Sequence, residues 1–462
     1  MTNLQSHQEI HIVGIGGAGM SAIARILHAR GFTVHGSDLR DSPLAATLRE
    51  EGVSVAIGHA AENIGAADLV LASSAIPDDN VELVAAREAG APVKRRPEFL
   101  GDLTADYKVI AVAGAHGKTT VTGMVTLLLI DAGLDPTYIV GGVLENLGTN
   151  AGAGEGDYFV IEADEYRNTF LALSPSIAVV TNVEFDHPDC FPSLRFVRLA
   201  FGDFVDNIVE DGVLIACNDD EVAHAIGASF HANGGRLRLY GRREGQGLAW
   251  QAVNIHPNLR GGVSFTALYN DAPVGELHLK LPGAHNAVNA LAALSVATEL
   301  GIEWTPAKIS LERFTGTARR FEVLGEAGDV IVIDDYAHHP TQIRAVLAAA
   351  RHRYPERRIV AAWEPHTFSR IQALKEDFMA AFDDADRVVV LPIYAAREID
   401  DGTMTSASIA AEIAHAEVQA ADTLDGAVEL LVAGAEKGDL ILLMGAGDET
   451  IVGQRVLERL RG

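Results

Sequence analysis

The sequence predicts an α/β protein in three parts, and three observations predict it. Short apolar β-type runs recur along the chain and hand over to helical patterns, as in parallel-sheet proteins. Two handovers are glycine-rich, around Gly14 and around Gly117. The 462 residues are what about three domains need, each with its own core.

The run 10–13 reads as a buried strand. Gly14-Ile15-Gly16-Gly17-Ala18-Gly19 follows, then a helix over 20–28 and a strand over 33–36 that stops at Ser37-Asp38. This is G-x-G-x-x-G with an acid about twenty residues on, the fingerprint of a Rossmann-like βαβ unit. Taken literally it predicts NAD, with Asp38 on a ribose. Its firmer content is a nucleotide-sized anionic ligand at Gly16 and Gly17. The plain alternative is a glycine turn that only lets strand and helix pack closely. A further strand over 67–74 ends in Ser73-Ser74-Ala75-Ile76-Pro77, and a helix runs on to Gly90. Ligands in open parallel sheets sit beyond the strands' carboxyl ends, so Asp38, Ser73 and Ser74 point to one crevice. The first domain reads as 1–105.

The central domain, 106–317, opens on a strand over 109–112 and the loop Ala113-Gly114-Ala115-His116-Gly117-Lys118-Thr119-Thr120, which starts a helix through Ile130. That layout cradles phosphate. Loop N–H groups and the helix N-terminus face the anion, Lys118 adds a full charge and Thr119 offers a hydroxyl to Mg²⁺. The strict G-x-x-x-x-G-K-[ST] pattern is broken at Val112. Two later strands, over 158–161 and 177–180, stop in Glu162-Ala163-Asp164-Glu165-Tyr166 and in Thr181-Asn182-Val183-Glu184-Phe185-Asp186-His187. Carboxylates at such strand ends suit a metal–nucleotide. Glu162 and Thr119 are natural Mg²⁺ ligands and His187 a less orthodox one. Solvated acids and helix capping are the plain reading of the same residues. Cys190 nearby reads as a small packed side chain. The stretch 212–281 is β-rich and chemically quiet, and Pro282-Gly283-Ala284-His285-Asn286 then opens a helix on which Asn286 and Asn289 share a face. Arg319-Arg320 sits in a link to the third domain, where either phosphate contact or a solvated charge pair accounts for it.

The third domain, 318–462, has strands over 330–333, 358–363, 387–391 and 440–444. The first halts in Asp334-Asp335-Tyr336-Ala337-His338-His339-Pro340, too many polar groups for a core role. The others halt in Glu364-Pro365-His366-Thr367-Phe368-Ser369-Arg370, in Tyr394-Ala395-Ala396-Arg397-Glu398 and in Gly445-Ala446-Gly447-Asp448. The pattern is again doubly wound.

Composition excludes other classes. A net charge of −27 argues against nucleic acid as a general partner, and no stretch is long and apolar enough to insert into a membrane. The polar first nine residues do not read as a leader, and two cysteines without metal spacing fit a cytoplasmic protein lacking disulfides.

Taken together these motifs resemble the Mur ligases over essentially the whole chain, and in particular the branch that adds L-alanine. The resemblance implies an N-terminal Rossmann-like domain for a UDP-sugar, a central P-loop ATPase α/β domain and a C-terminal Rossmann-like domain. It replaces NAD at the first glycine turn with a UDP-sugar. It implies an ATP-dependent ligase of peptidoglycan precursor synthesis that joins L-alanine to the lactoyl carboxylate of UDP-N-acetylmuramate through an acyl phosphate. The implied cofactors are ATP and Mg²⁺, and a homodimer is compatible with it. Gly114, His116, Gly117, Lys118, Thr119 and Thr120 would take the phosphates. Thr119, Glu162 and His187 would hold metal, and Asn286, Arg320 and Asp335 would contact ATP. Gly16, Gly17, Asp38, His59, Ser73, Ser74, Thr149 and Asn150 would hold the UDP-sugar. Lys118, Glu162, His187, His338 and His339 would carry the chemistry, the last two near the amino-acid end. Ala115 departs from the family's usual Thr, and Tyr166-Arg167-Asn168 from the Ser-Asp of many alanine-adding members. Glu-Ala-Asp-Glu-Tyr and Glu-Phe-Asp-His are similar to sister enzymes that attach the tripeptide L-Ala-γ-D-Glu-meso-diaminopimelate to the same UDP-sugar, which keeps that acceptor open. A nucleotide-binding sensor without turnover is the alternative from another class.

Overall fold

The structure, a computed structural model, describes residues 9–243 and 247–462; the N-terminal stretch read above as no leader lies, but for Glu9, outside them. Three sheets follow one another along the chain. The first is five-stranded and parallel throughout, in the order Ser54–Ile57, Thr33–Asp38, Glu9–Val13, Leu69–Ala72, Val93–Arg95. Strand order reverses at Glu9–Val13, so the crevice lies beyond its carboxyl end, where Gly14, Asp38 and Ser73 follow their strands.

The second sheet has ten strands. At its centre Lys108–Ala113 pairs in parallel with Pro175–Val180 on one side and Tyr158–Glu162 on the other. This brings the phosphate loop and both acid-bearing strand ends to one rim. The quiet stretch 212–281 forms its outer half, which turns antiparallel over Leu248–Pro257, Val263–Tyr269 and Ala272–His278. The third sheet runs Glu322–Ala327, Val330–Asp335, Asp439–Met444, Arg358–Trp363, Arg387–Val390, Val418–Ala420, parallel except for its first strand. That first strand, Glu-Val-Leu-Gly-Glu-Ala, escapes an apolar-run reading because it is an edge and mostly half-exposed.

The helix Lys118–Asp131 shows why the phosphate loop is rigid. Eleven of its fourteen residues are buried, and it packs on the helices Ala284–Glu299 and Trp304–Arg313. Burying each Leu or Val contributes about 1.5–3 kcal/mol, against roughly 0.3–1 kcal/mol for a charge on the helix dipole, so packing fixes the helix and leaves its N-terminus to bind. Gly123 permits the approach, since a Cβ there would stand 2.6 Å from Leu144.

The first two sheets share one apolar core, with Ile12, Leu27 and Phe99 in the same cluster as Phe159, Phe170 and Phe201. The third sheet has clusters of its own on its two faces. Its junction with the second is largely polar, and the chemistry-bearing residues gather there. Among the described residues no helix is long and apolar enough to cross a membrane, and Cys190 and Cys217 are free thiols.

Candidate active site

Strand Lys108–Ala113 runs one residue further at each end than the sequence suggested, so Val112 is not its last residue and Gly114 makes the turn. Gly114 has φ +143°, and a Cβ there would fall 1.9 Å from Thr181 Oγ1. Gly117 has φ +82° and would meet Asn289 Oδ1 at 2.7 Å. Both positions require glycine. The loop is pinned from the neighbouring strand end: His116 N–H donates to Asn182 Oδ1 (2.8 Å) and Thr181 Oγ1 donates to the His116 carbonyl (2.6 Å).

Lys118 Nζ donates to the Gly114 carbonyl and to Glu165 (2.9 and 3.2 Å). Burial works against its charge, but Glu165, Asp164 and Glu162 outweigh it and raise its pKa. Thr119 Oγ1 donates to Glu162 Oε1 (3.1 Å), while Gly141 N–H donates to Oε2 (2.7 Å); burial raises the Glu162 pKa. A hydroxyl and a half-buried carboxylate side by side are a hard-oxygen pair that fits Mg²⁺. His187 does not join them. It has φ +55°, its Nε2 lies 4.0 Å from Glu165 and its Nδ1 3.5 Å from Arg370 Nη2. Of the three expected metal ligands, Thr119 and Glu162 touch each other, and His187 faces Glu165 and Arg370.

A cavity of about 580 Å³ opens beside the loop, lined by His116, Gly117, Thr120, Asn286, Asn289, Arg320 and Asp335. Asn289 Nδ2 donates to Asn286 Oδ1 (3.1 Å), which fixes the shared helix face read from spacing. Asp335 accepts N–H bonds from Phe321 (2.8 Å) and Ala337 (2.9 Å), and burial pushes its pKa up to about 6 against the pull of Arg320.

The two adjacent histidines separate in role. His338 Nδ1 lies 2.8 Å from the Tyr336 carbonyl and so carries the proton, leaving Nε2 as an acceptor. In His339 both nitrogens are engaged: Nε2 with the Phe185 carbonyl (3.3 Å) and Nδ1 with Thr341 N–H (3.3 Å), where it caps the helix Pro340–Arg353. His339 thus fastens the third sheet to the second. Glu184 lies beneath it, 3.6 Å from His339 Nδ1 and 3.4 Å from His116 Nε2, and accepts from Thr341 Oγ1 (2.7 Å). Arg370 spans the same junction, with Nε on Asp186 (2.7 Å) and Nη1 2.7 Å from His366 Nδ1.

This junction has a definite pH dependence. Burial, aided by Arg370, holds His338 well below the usual imidazole range and His366 at about 4; burial and His116 hold His339 at about 4. Folded values below the unfolded one mean that stability present above pH ~6.5 is lost as pH falls toward 4. Burial penalises Asp186, but Arg370 and the imidazoles outweigh it and hold the carboxylate well below its ordinary value, so it adds a loss at still lower pH. Burial raises Asp335 to about 6 and Glu364 to about 7, which acts oppositely. At this junction three imidazoles outnumber two acids, so its contribution to stability is expected to fall between pH 6.5 and 4.5, and the melting temperature of His338→Gln/His366→Gln to fall less over that interval than that of wild type. Scanning calorimetry across the interval checks it.

Three family models match in chain order: the "Mur ligase family, catalytic domain" over residues 9–108, the "Mur ligase middle domain" over 112–297 and the "Mur ligase, glutamate ligase domain" over 319–447. The chain belongs to the Mur ligase family. A UDP-N-acetylmuramate–L-alanine ligase of Frankia casuarinae is 43% identical, over 99% of this chain and 98% of that relative. One of Paenarthrobacter aurescens is 43% identical, over 100% and 99%. Among solved structures, the UDP-N-acetylmuramate-alanine ligase of Thermotoga maritima is similar with a TM-score of 0.83 at 31% identity, covering 98% of this chain and 99% of that one. A murein peptide ligase of Psychrobacter arcticus gives 0.75 at 27%, with 98% and 99% covered.

At the first sheet of this Mur ligase the expected residues divide. Asp38 Oδ2 accepts the Gly16 N–H (2.9 Å), so acid and glycine turn are one unit, and Gly17 precedes the helix Ala18–Ala29. Ser73 caps its own turn, and Ser74 gives its carbonyl to Arg167 (2.8 Å). His59 Nδ1 points inward, 3.0 Å from Ser37 Oγ and 3.4 Å from Glu82. Glu82 is fully buried; burial opposes its charge, but bonds from His11, Ser37 and Asn63 prevail and hold it at about 2. Thr149 bonds the Ala151 carbonyl (3.0 Å), and buried Asn150 joins Arg25 and the Ala18 carbonyl (3.3 Å). Asn150 thus ties the first helix to the second sheet, while Thr149 bonds within its own strand. Sequence reasoning missed Arg96, whose guanidinium lies over Gly19 with Nε buried and unpartnered. The signal was there in Lys94-Arg95-Arg96, where a strand hands over to a helix. Glu165, Glu184, Asp186 and Arg370 were also missed as site residues, although each sits in a motif read as a strand end.

Proposed function

We propose that this protein is an ATP-dependent ligase that joins L-alanine to the lactoyl carboxylate of UDP-N-acetylmuramate. Full-length similarity to ligases of that name supports the reading, and one structural observation carries it. Lys118, the Thr119–Glu162 oxygen pair and the Asn286/Asp335 cavity share one rim with the junction of His187, His338 and Arg370. A phosphoryl-transfer site therefore adjoins a site for a second nucleophile.

The work divides as follows. The glycine turn, Asp38, Ser73 and Ser74 hold the UDP-sugar, with Arg96 and the helix N-terminus facing its diphosphate. ATP lies in the cavity with its phosphates on the loop, and Arg320 and Asp335 close from the third sheet. Mg²⁺ on Thr119 and Glu162 would neutralise charge on the β- and γ-phosphates. Lys118 stabilises the transferring phosphoryl group as the lactoyl carboxylate oxygen attacks it, giving the acyl phosphate and ADP. His338 Nε2, an unprotonated acceptor, orients the L-alanine amine toward the acyl carbon, and inorganic phosphate leaves as the amide forms. We place the reaction in the cytoplasm, with domain boundaries at 105/106 and 317/318; a homodimer is the assembly to test by light scattering.

The test is ATP-dependent phosphate release with UDP-N-acetylmuramate and either L-alanine or L-Ala-γ-D-Glu-meso-diaminopimelate. Release with L-alanine, and a product heavier by one alanyl residue, is expected. Release with the tripeptide alone would move the protein to the sister activity.

A further inference from the structure

We infer that Glu82 is a positioning residue for the UDP-sugar site. Through Ser37 it keeps the His59 proton on Nδ1, so Nε2 meets the ligand as an acceptor and selects a donor group on its nucleoside. The inference rests on the UDP-sugar reading above and names what sets its nucleoside preference.

Glu82 is a fully buried carboxylate that pairs with no lysine or arginine among the described residues. A buried anion is costly unless its oxygens are well bonded, and an apolar side chain would carry no such penalty. Its partners show what it is for. Oε1 accepts from Ala60 N–H (3.2 Å) and Asn63 Nδ2 (2.6 Å), both on the loop that carries His59. Oε2 accepts from His11 Nε2 (3.2 Å) and Ser37 Oγ (2.5 Å). The Ser37 hydroxyl has a single proton, and Glu82 takes it. The Ser37 oxygen can then only accept from His59 Nδ1, 3.0 Å away. The other neighbour of that nitrogen, Glu82 Oε2 at 3.4 Å, is an acceptor too. The proton of a neutral His59 is thus on Nδ1, and Nε2 keeps its lone pair.

Ser37 also joins this imidazole to the glycine turn. Its carbonyl accepts the N–H of Gly14 (2.8 Å) and of Ile15 (3.0 Å), while its hydroxyl holds His59. Next to His59, Gly58 N–H donates to the Asp38 carbonyl (2.8 Å), and Asp38 Oδ2 accepts the Gly16 N–H (2.9 Å). His59 therefore leaves the sheet at the same strand ends as the turn and the acid. Its side chain is 10% exposed, and Nε2 has no partner among the described residues. A uridine nucleotide offers that lone pair two kinds of neutral donor, the uracil N3–H and the ribose hydroxyls. Cytosine has a lone pair at N3 instead. Glu82→Gln reverses the arrangement. Ala60 N–H holds the amide oxygen at the Oε1 position, which turns the NH₂ toward Ser37. Ser37 then accepts from it and donates to His59 Nδ1, and the imidazole proton moves to Nε2.

The test has two arms, both on the full chain. Proton–nitrogen correlation spectra of protein carrying ¹⁵N-histidine read the tautomer, with His59→Gln assigning the signal. Wild type should carry the proton on Nδ1 and Glu82→Gln on Nε2. Titration calorimetry with UDP, CDP, 2′-deoxy-UDP and 3′-deoxy-UDP reads the consequence. Wild type should bind UDP roughly tenfold more tightly than the analogue lacking the donor that Nε2 meets, the worth of one hydrogen bond. CDP reports on the base and the deoxynucleotides on the ribose. In Glu82→Gln that preference should vanish, with UDP bound roughly tenfold more weakly and KM for ATP in phosphate release unmoved. Ser37→Ala breaks the same link with the anion in place, so it should shrink the preference too, and it serves if the glutamine variant does not fold. A merely structural Glu82 would weaken all four nucleotides equally and leave the tautomer alone. That result, or a wild-type His59 with its proton on Nε2, overturns the proposal. An Nδ1 proton in a wild type that binds no UDP defeats the UDP-sugar reading itself.

Discussion

Lys118→Ala is expected to cut phosphate release by about a thousandfold or more, the scale set by losing a preorganised positive group at a phosphoryl-transfer transition state. The same change has a second effect that must be kept apart from the first. Lys118 neutralises Glu165, whose side chain is 3% exposed, at 2.9 Å. Removing one partner of a buried pair leaves the other charge uncompensated, at a cost of about 3–5 kcal/mol. A bare alanine variant would therefore lose both rate and melting temperature. Lys118→Ala/Glu165→Gln removes the stranded carboxylate, so its melting temperature should recover most of the way while the rate stays down. If rate returned with stability, the lysine would be a structural residue and the loop reading would fall. Thermal melts and phosphate release on both variants decide it.

The recovery of the fold from sequence had a physical basis. Buried parallel strands are continuous apolar runs, and their carboxyl ends are where polar residues appear abruptly, so 109–112, 177–180 and 358–363 announced themselves. Edges did not. Glu322–Ala327 and Val93–Arg95 bury too little to need apolar runs. Within the site, loop residues acting through local geometry were legible: Gly114, Gly117, Lys118, Thr119 and Glu162 lie where spacing placed them. Residues acting across sheets were not. That His187 turns to Arg370 rather than to Glu162, and that His339 spends both nitrogens on the joint while His338 keeps one free, depends on contacts between residues more than 150 positions apart. The tie from Asn150 was hidden for a similar reason, since its partner Arg25 lies in another domain's helix.

The Arg370–Asp186 pair makes this long-range wiring measurable. Arg370→Ala strands Asp186, 5% exposed, at the joint between the second and third sheets, and should destabilise the protein by about 3–5 kcal/mol. It should also move the chemistry in a direction that packing loss alone would not. The Arg370 charge helps to hold His338 and His366 below their ordinary range. Without it both imidazoles protonate at higher pH, so His338 loses its acceptor earlier. The acid limb of the pH–rate profile should therefore shift to higher pH. Arg370→Met/Asp186→Leu removes both charges together. An apolar pair of similar volume can match a buried ion pair in stability. Its melting temperature should approach wild type, and its acid limb should return most of the way, because Asp186 raises the same imidazole pKa values that Arg370 lowers. An acid limb that stayed in place in Arg370→Ala would show that Arg370 only fastens the third sheet, and that the imidazoles are kept neutral by burial alone.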